Sequence, residues 1–458
     1  MDWLKEAKLR ENVLIKNITD IVSIPSLKDT STAGGNAPFG LEIRKALDFF
    51  LDLGKRDGFK VTDVDGYAGI IEFGEGDEIV GILGHLDVVP PGDGWNKEPF
   101  NPVIDRGYLF GRGTMDDKGP TMIAYEAIKM LRDSGFKPSK RIFLIVGCDE
   151  ESGMSCMEYY RKHAPIPNVG FTPDADFPLI YGEKGNASFR LESSQSTVIE
   201  SFVGGSRPNV VIGQAKAVVN AKLKEEMFNF FLHTHDIEGE YKDLGDSVEY
   251  TIYGQLSHGA FPENGVNAGV HLLNFIGGAY NDNYASSLSR LLFDYYGKGV
   301  NIRHVGPHMG WTTMNVGIIK IEDGKQSVTL DIRFADDYPY EKLKANLTAR
   351  VAEENPNVEV VAFRHVDPLF VDPQSELITT LEASYRKYSN DYNTPLKTIG
   401  GGTYAKCFDN FVAFGPEFAH LPTPDFVGAI HSEDEAISLE HMVLSCAIYA
   451  EAILELAK

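Results

Sequence analysis

The stretch "VGILGHLDVVPPGDGW", Val80 to Trp95, decides the fold. It opens on apolar residues and glycine with no alternation, the pattern of a strand buried on both faces. The run stops at His85, steps over Leu86, reaches Asp87 and turns through Pro90, Pro91 and Gly92. A second such run, "RIFLIVGCDEE" from Arg141 to Glu151, ends on three acids. Between them, residues 119–134 carry a helical pattern opened by Gly119 and Pro120. Strands separated by a helix predict an α/β sheet. In open sheets of this kind ligands sit beyond the carboxyl ends of the strands, which is where His85 and Asp87 project.

Working outward, residues 3–22 and 39–57 have helical periodicity, and "GIIEFG" at 69–74 reads as a further strand. The character changes after "YGEKGN" near residue 186. Alternating strands follow ("ASFRLES", "SVEYTIYG", "SVTLDIRF"), with helical runs at 215–232, 266–279 and 340–353. This predicts an inserted α+β domain, with room for two β-rich units but no clear internal repeat. From residue 372, "DPQSELITTLEASYRKYSND" returns to long helices, and 437–457 forms a last one. The expected architecture is α/β: a mixed, mostly parallel sheet flanked by helices over 1–185 and 372–458, with the insert over 186–371.

The 458 residues exceed one ordinary core, in keeping with that division. The net charge of -23 argues against binding nucleic acid through its phosphates, which needs a basic surface. No run of eighteen apolar residues appears, so no membrane span is expected. The charged, amphipathic start "MDWLKEAKLRENVL" is unlike a signal peptide. Cys148, Cys156, Cys407 and Cys446 have no CxxC spacing and read as reduced cysteines of a cytoplasmic protein.

Five short segments carry the chemistry. His85 offers a ring nitrogen to a metal, and Asp87 can accept from the other nitrogen and fix the tautomer. The alternative for this pair is a capped strand end. "GRGTMDDKGP", 111–120, sets Asp116 and Asp117 at a helix start, where they also suit the helix dipole. "GCDEESG", 147–153, crowds Asp149, Glu150 and Glu151, which calls for a compensating cation unless the loop is simply solvated. "TPDADFP" supplies Asp174, and the distant "AIHSEDE" supplies His431. Together His85, Asp117, Glu151, Asp174 and His431 suit two zinc-like ions bridged by one carboxylate, and Glu150 beside a ligand suits a general base.

The order HLDVVP, GRGTMDDKG, DEESG, PDA and AIHSEDE resembles the metallopeptidases that include aminoacylases, carboxypeptidases and succinyl-diaminopimelate desuccinylases. "GRGTMDDKGPT", "GGGTYAK" at 400–406 and the long insert are most similar to the PepV-type bacterial dipeptidases. The resemblance implies a catalytic domain with an inserted lid. It implies His85 and Asp174 on one ion, Glu151 and His431 on the other, and Asp117 between them. It also implies Asp87 orienting His85 and Glu150 shuttling the proton. In the insert, "GQLSHGAFPENGVNA" gives His258 as the oxyanion donor, and "GGSRPNVV" gives Asn209 near the substrate. The Asn209 match is partial, because Val211 stands where the family often has proline. "LDIRF" gives Arg333 as a clamp for a substrate carboxylate, with pairing to Asp331 or Asp336 as the alternative. Gly401, Gly402 and Thr403 lie on a loop where backbone can approach the substrate.

The implied activity is dipeptide hydrolysis with two divalent ions, zinc first and manganese or cobalt as alternatives. The alternatives to this activity are an N-acyl amino acid deacylase or desuccinylase and, remotely, a catalytically dead peptide-binding protein. The expected partner is a small peptide substrate, with no nucleic acid or membrane, and the chain is expected to act as a monomer.

Overall fold

The computed structural model describes residues 1–458. The chain divides into two compact units, Met1–Tyr181 with Val371–Lys397 and Gly402–Lys458, and Gly182–Phe370 with Thr398–Gly401. The first boundary falls between Tyr181 and Gly182 rather than after residue 185, and four residues of the 400 loop belong with the insert.

The first unit is built on a mixed sheet. The strand Ile79–His85 lies at its centre, parallel to Arg141–Gly147 on one side and to Val169–Thr172 on the other. Phe411–Ala413, from the late part of the chain, extends it in parallel beside Val169–Thr172. Ala68–Phe73 and Lys60–Val64 add antiparallel strands at the other edge. All seven residues of Ile79–His85 are buried, as are six of the seven in Arg141–Gly147. Burial on both faces explains their unbroken apolar character.

The helix Lys118–Asp133 connects the two central strands and is buried along most of its length. Gly84 lets it approach: a Cβ there would stand 2.1 Å from the Thr121 hydroxyl and 2.6 Å from an Asp117 oxygen. The helical stretch read over 3–22 is two helices, Trp3–Leu9 and Glu11–Val22, which meet at Arg10. Arg10 ties this corner to the buried Glu126 at 2.9 Å.

The second unit is one eight-stranded sheet backed by helices, not two β-rich parts. Its apolar face packs under Ala268–Tyr280, Asn283–Leu292 and Tyr340–Glu354. The helix expected over 215–232 is instead a strand, Gln214–Val219, followed by a helix, Glu225–His235. Ala215, Ala217 and Val219 are buried in alternation with more open neighbours, which is strand periodicity. Alanine and lysine favour helices in isolation, and pairing on both sides of Gln214–Val219 overrides that preference.

Candidate metal centre

The carboxyl ends of the central strands bring four of the five expected ligands together. His85 is the last residue of its strand and wholly buried. Its Nε2 lies 3.0 Å from an Asp116 oxygen and 3.7 Å from an Asp174 oxygen. The second Asp116 oxygen lies 2.8 Å from Nε2 of His431, and that nitrogen is 3.2 Å from Glu151. Two sets result, His85–Asp116–Asp174 and Asp116–Glu151–His431, each with its candidate ligand atoms within 4.8 Å of one another. Asp116 is common to both.

Asp116, not Asp117, therefore stands between the histidines. Asp117 is turned inward and fully buried: one oxygen accepts from the His85 N–H at 3.0 Å and from the Thr121 hydroxyl at 3.1 Å. It anchors the ligand strand to the helix that follows. Two adjacent aspartates are indistinguishable by residue type, and only the turn of the chain before the helix assigns their roles.

Asp87 also acts differently from expectation. The main-chain oxygen of Asp87 faces Nδ1 of His85 at 3.0 Å, while its carboxylate is 3.6 Å away. That carboxylate accepts from the Glu150 and Glu151 N–H groups, both at 3.1 Å. Asp87 thus fixes His85 through its backbone and the acidic loop through its side chain. The Nδ1–H···O contact leaves Nε2 as the lone-pair nitrogen, the one turned to Asp116 and Asp174.

Three residues support the site in roles the sequence does not give them: there Asp149 is only one of three crowded acids, Tyr404 only part of the glycine-rich loop at 400–406, and Glu435 carries no assignment. Asp149 receives Lys28 Nζ and the Ser152 hydroxyl, each at 2.6 Å, and holds the acidic loop. Glu435 is wholly buried against Arg112 and accepts from the Gly113 and Met115 N–H groups at 2.9 and 3.0 Å, which shapes the chain leading to Asp116. Tyr404 sets its ring edge-on to His85, with centroids 5.9 Å apart, and its hydroxyl 2.9 Å from Cys156 Sγ. The "GRG" and "EDE" segments held the signal for the Arg112–Glu435 pair, since an arginine and a glutamate beside ligand positions require partners. Nothing local marks Tyr404 as the packing behind a ligand.

The clustered acids favour positive charge, whether protons or cations. Burial tends to lower the basicity of His85, yet Asp116, Asp174 and Asp87 raise it well above an ordinary histidine. Asp116 and Glu151 lift His431 to about 10 against its partial burial. Burial pushes Glu150 well above the ordinary glutamate range; His85 opposes this, and Asp174, Glu151 and Asp116 reinforce it. Glu151 and Asp174 are raised as well, burial first. The buried Nε2 of His85 has no hydrogen bond despite its carboxylate neighbours. A nitrogen lone pair facing oxygens at such separations suits ligands around a divalent ion bound at about 2.0–2.2 Å per ligand. The donor set thus fits two ions.

The second unit carries its own polar cluster. Nδ1 of His258 accepts from the Ala260 N–H at 3.2 Å, so the neutral ring bears its proton on Nε2. Burial, and then Arg333, lower its basicity and favour that neutral form. Arg333 is held by Asp331 through Nε at 3.0 Å and by the Gly400 carbonyl through Nη1 at 3.0 Å. Of the two alternatives for its pairing, Asp331 is the partner, and Nη2 is left over. Asn209 is exposed, and its main-chain oxygen accepts from the Gly259 N–H at 2.7 Å. A Cβ on Gly401 would stand in ordinary contact, 3.8 Å from Ile399 Cδ1, and in the first unit the Thr403 hydroxyl accepts from the Ala405 N–H at 3.1 Å.

Residues 81–455 match the model of Peptidase family M20/M25/M40, and the chain belongs to that family. A Bacillus subtilis protein named "Putative dipeptidase YtjP" is 36% identical over 474 residues, covering 100% of both chains. A "Putative dipeptidase" of Staphylococcus epidermidis is 36% identical over 98% of each. Among solved structures, human carnosine dipeptidase 1 shares the fold with a TM-score of 0.56 at 16% identity, over 100% of this chain and 99% of that one. Aminoacylhistidine dipeptidase from Vibrio alginolyticus does so with a TM-score of 0.57 at 15% identity, over 97% and 96%.

Proposed function

We propose that the protein is a metal-dependent dipeptidase, with His85, Asp116 and Asp174 holding one divalent ion and Asp116, Glu151 and His431 the other. The observation that carries this reading is the placement of the two Asp116 oxygens, 3.0 Å from one histidine and 2.8 Å from the other. Zinc is our first choice, with manganese or cobalt suited to the same nitrogen and oxygen donors. When bound, such ions lower the pKa of a coordinated water and polarise the scissile carbonyl.

The chain's own groups perform the proton transfers. Glu150 has no hydrogen bond to its carboxylate, and its raised basicity suits a group that takes a proton from water and returns it to the departing amine. Asp87 keeps Glu150 beside the ligands through the loop N–H groups. We assign His258 as donor to the developing oxyanion through its Nε2–H, and Arg333 Nη2 as partner of the substrate carboxylate. Asn209, Gly401, Gly402 and Thr403 are proposed backbone-recognising positions. With both termini recognised, a two-residue substrate with free ends fits best.

No helix is long and apolar enough to cross a membrane, and all four cysteines are free and buried. Those cysteines support our placement of the enzyme in the cytoplasm, acting there as a monomer.

The test is a substrate panel. Chelation is expected to abolish activity, and zinc, manganese or cobalt to restore it. Free dipeptides should be cleaved, with N-acetylated dipeptides and tripeptides poor. Hydrolysis of N-acetyl or N-succinyl amino acids at least as efficiently as the best dipeptide would replace this reading with that of a deacylase.

A further inference from the structure

Glu417 is a carboxylate near the centre that belongs to neither ligand set and to which no role has yet been given. Glu417 ends the short strand Pro416–Glu417, which pairs in parallel with Ala175–Asp176, so Glu417 stands opposite Asp176, two residues beyond the ligand Asp174. The Phe177 N–H donates to the Glu417 main-chain oxygen at 2.7 Å and locks this register. The side chain is partly buried. Besides its burial, Asp176, Asp174 and Asp116 act on it with like charge, and Lys397, which opposes them, is itself ion-paired with Asp176. No hydrogen bond or ion pair holds the Glu417 carboxylate.

Apart from Glu150, whose carboxylate is also without a hydrogen bond and is assigned above to proton transfer, the other acids around the centre are engaged. Asp87 is saturated by the Glu150 and Glu151 N–H groups, and Asp149 by Lys28, Ser152 and Ser155. Glu435 has Arg112, and Asp434 has Asn96 and the Lys97 N–H. An unpaired carboxylate partly withdrawn from water among like charges is unfavourable until a cation reaches it. The ligand carboxylates take up the charge of the metal ions, which leaves Glu417 for a cation that arrives with the substrate. In a dipeptide the α-ammonium is one carbon away from the attacked carbonyl. Its partner must therefore lie close to the ligands without being one.

We propose that Glu417 is the anionic partner of an ammonium group on the amino-side residue of the substrate, and so selects amino-terminal residues over acyl groups. The inference rests on the dipeptidase reading. Its recognition element is a single charge-assisted hydrogen bond, and two sources of ammonium share that chemistry, the α-amino group and a lysine-type side chain.

The experiment compares the metal-loaded parent with Glu417→Gln on four substrates: Ala-Leu, its des-amino analogue propanoyl-leucine, Lys-Leu and norleucyl-leucine. For the variant, kcat/KM on Ala-Leu relative to propanoyl-leucine should fall about 10- to 100-fold, chiefly through KM. If propanoyl-leucine is not turned over, its inhibition constant replaces kcat/KM in the ratio. A loss confined to Lys-Leu relative to norleucyl-leucine assigns the ammonium to the side chain instead. An equal loss on all four, or none, overturns the inference while leaving the dipeptidase reading intact. A parent that cleaves no dipeptide overturns both. Metal content and melting are measured alongside; if the glutamine variant loses metal, Glu417→Asp is used, with a smaller fall in the same ratio expected and an unchanged ratio counting against the inference.

Discussion

The two ends of Asp116 face different surroundings. On one side His85 closes a strand with no exposed residue, wholly buried, with Asp174 nearby on the segment after the neighbouring strand. On the other, His431 lies in a late loop with left-handed backbone, φ 63°, and a side chain half open to solvent. The buried half is part of the sheet core, whereas the open half is a loop joined to it by charge. On the proposed reading the contrast implies a division of labour: one ion would be held by the sheet core, and the other by a more open loop. Low dielectric strengthens the first set of interactions, and solvent screens the second.

The shared carboxylate is the sharpest point at which this comparison can break. Asp116→Ala should empty both halves and reduce turnover to background, the largest effect expected. Asp117→Asn, which keeps the shape of the group under the His85 N–H, should retain both ions at reduced stability. Metal analysis of the two purified variants decides. Two ions in the Asp116 variant and none in the Asp117 variant would reverse the assignment. Next in size is Glu150→Gln, which removes the proton carrier from a position that ligates nothing. Its kcat should drop by about 100- to 10 000-fold with metal content unchanged.

This division was only partly legible in the sequence. The unbroken apolar runs ending at His85 and Gly147 placed the parallel strands and the crevice, because burial on both faces leaves a strong compositional trace. Histidines and acids at and beyond strand ends were the candidate ligands, and four of the five expected ones lie together in the structure. What the residues could not show was which of two adjacent aspartates turns inward; that depends on Thr121, on the His85 N–H and on the close approach at Gly84. The strand Gln214–Val219 was hidden by helix-forming alanine and lysine, although its burial alternates. Glu417 gave no signal at all, since a lone glutamate in "GPE" acquires meaning only from the strand beside it.

The support beneath the shared carboxylate gives the third expectation. Arg112 and Glu435 form a buried pair, and Glu435 also holds N–H groups on the way to Asp116. Glu435→Ala would strand the guanidinium in the interior, at a cost of about 3–5 kcal/mol in stability. Denaturant unfolding of the metal-loaded variant measures it. The same variant should weaken both ions together, because both depend on Asp116. A selective loss from the His431 half would show that Glu435 serves only the loop carrying "AIHSEDE".

The smallest effect concerns the metal-free protein and separates the open half by its protons. Asp116 and Glu151 hold His431 protonated up to about 10 against partial burial, whereas an unfolded histidine titrates near 6.5. Between these values the folded chain binds more protons than the unfolded chain, so raising pH favours unfolding. This contribution is fully present below about 6.5 and is lost as pH climbs through about 10. Because the ring is half exposed, solvent screening limits it to about 1 kcal/mol or less. With ions bound, His431 is a neutral ligand and that slope should vanish. Melting of chelated and loaded protein at pH 6.5, 8 and 9.5 is the measurement, with chelated His431→Gln as the control. A chelated parent whose stability falls no faster with pH than that of the variant would show that His431 carries no extra proton, and that charge does not tie the open half to Asp116.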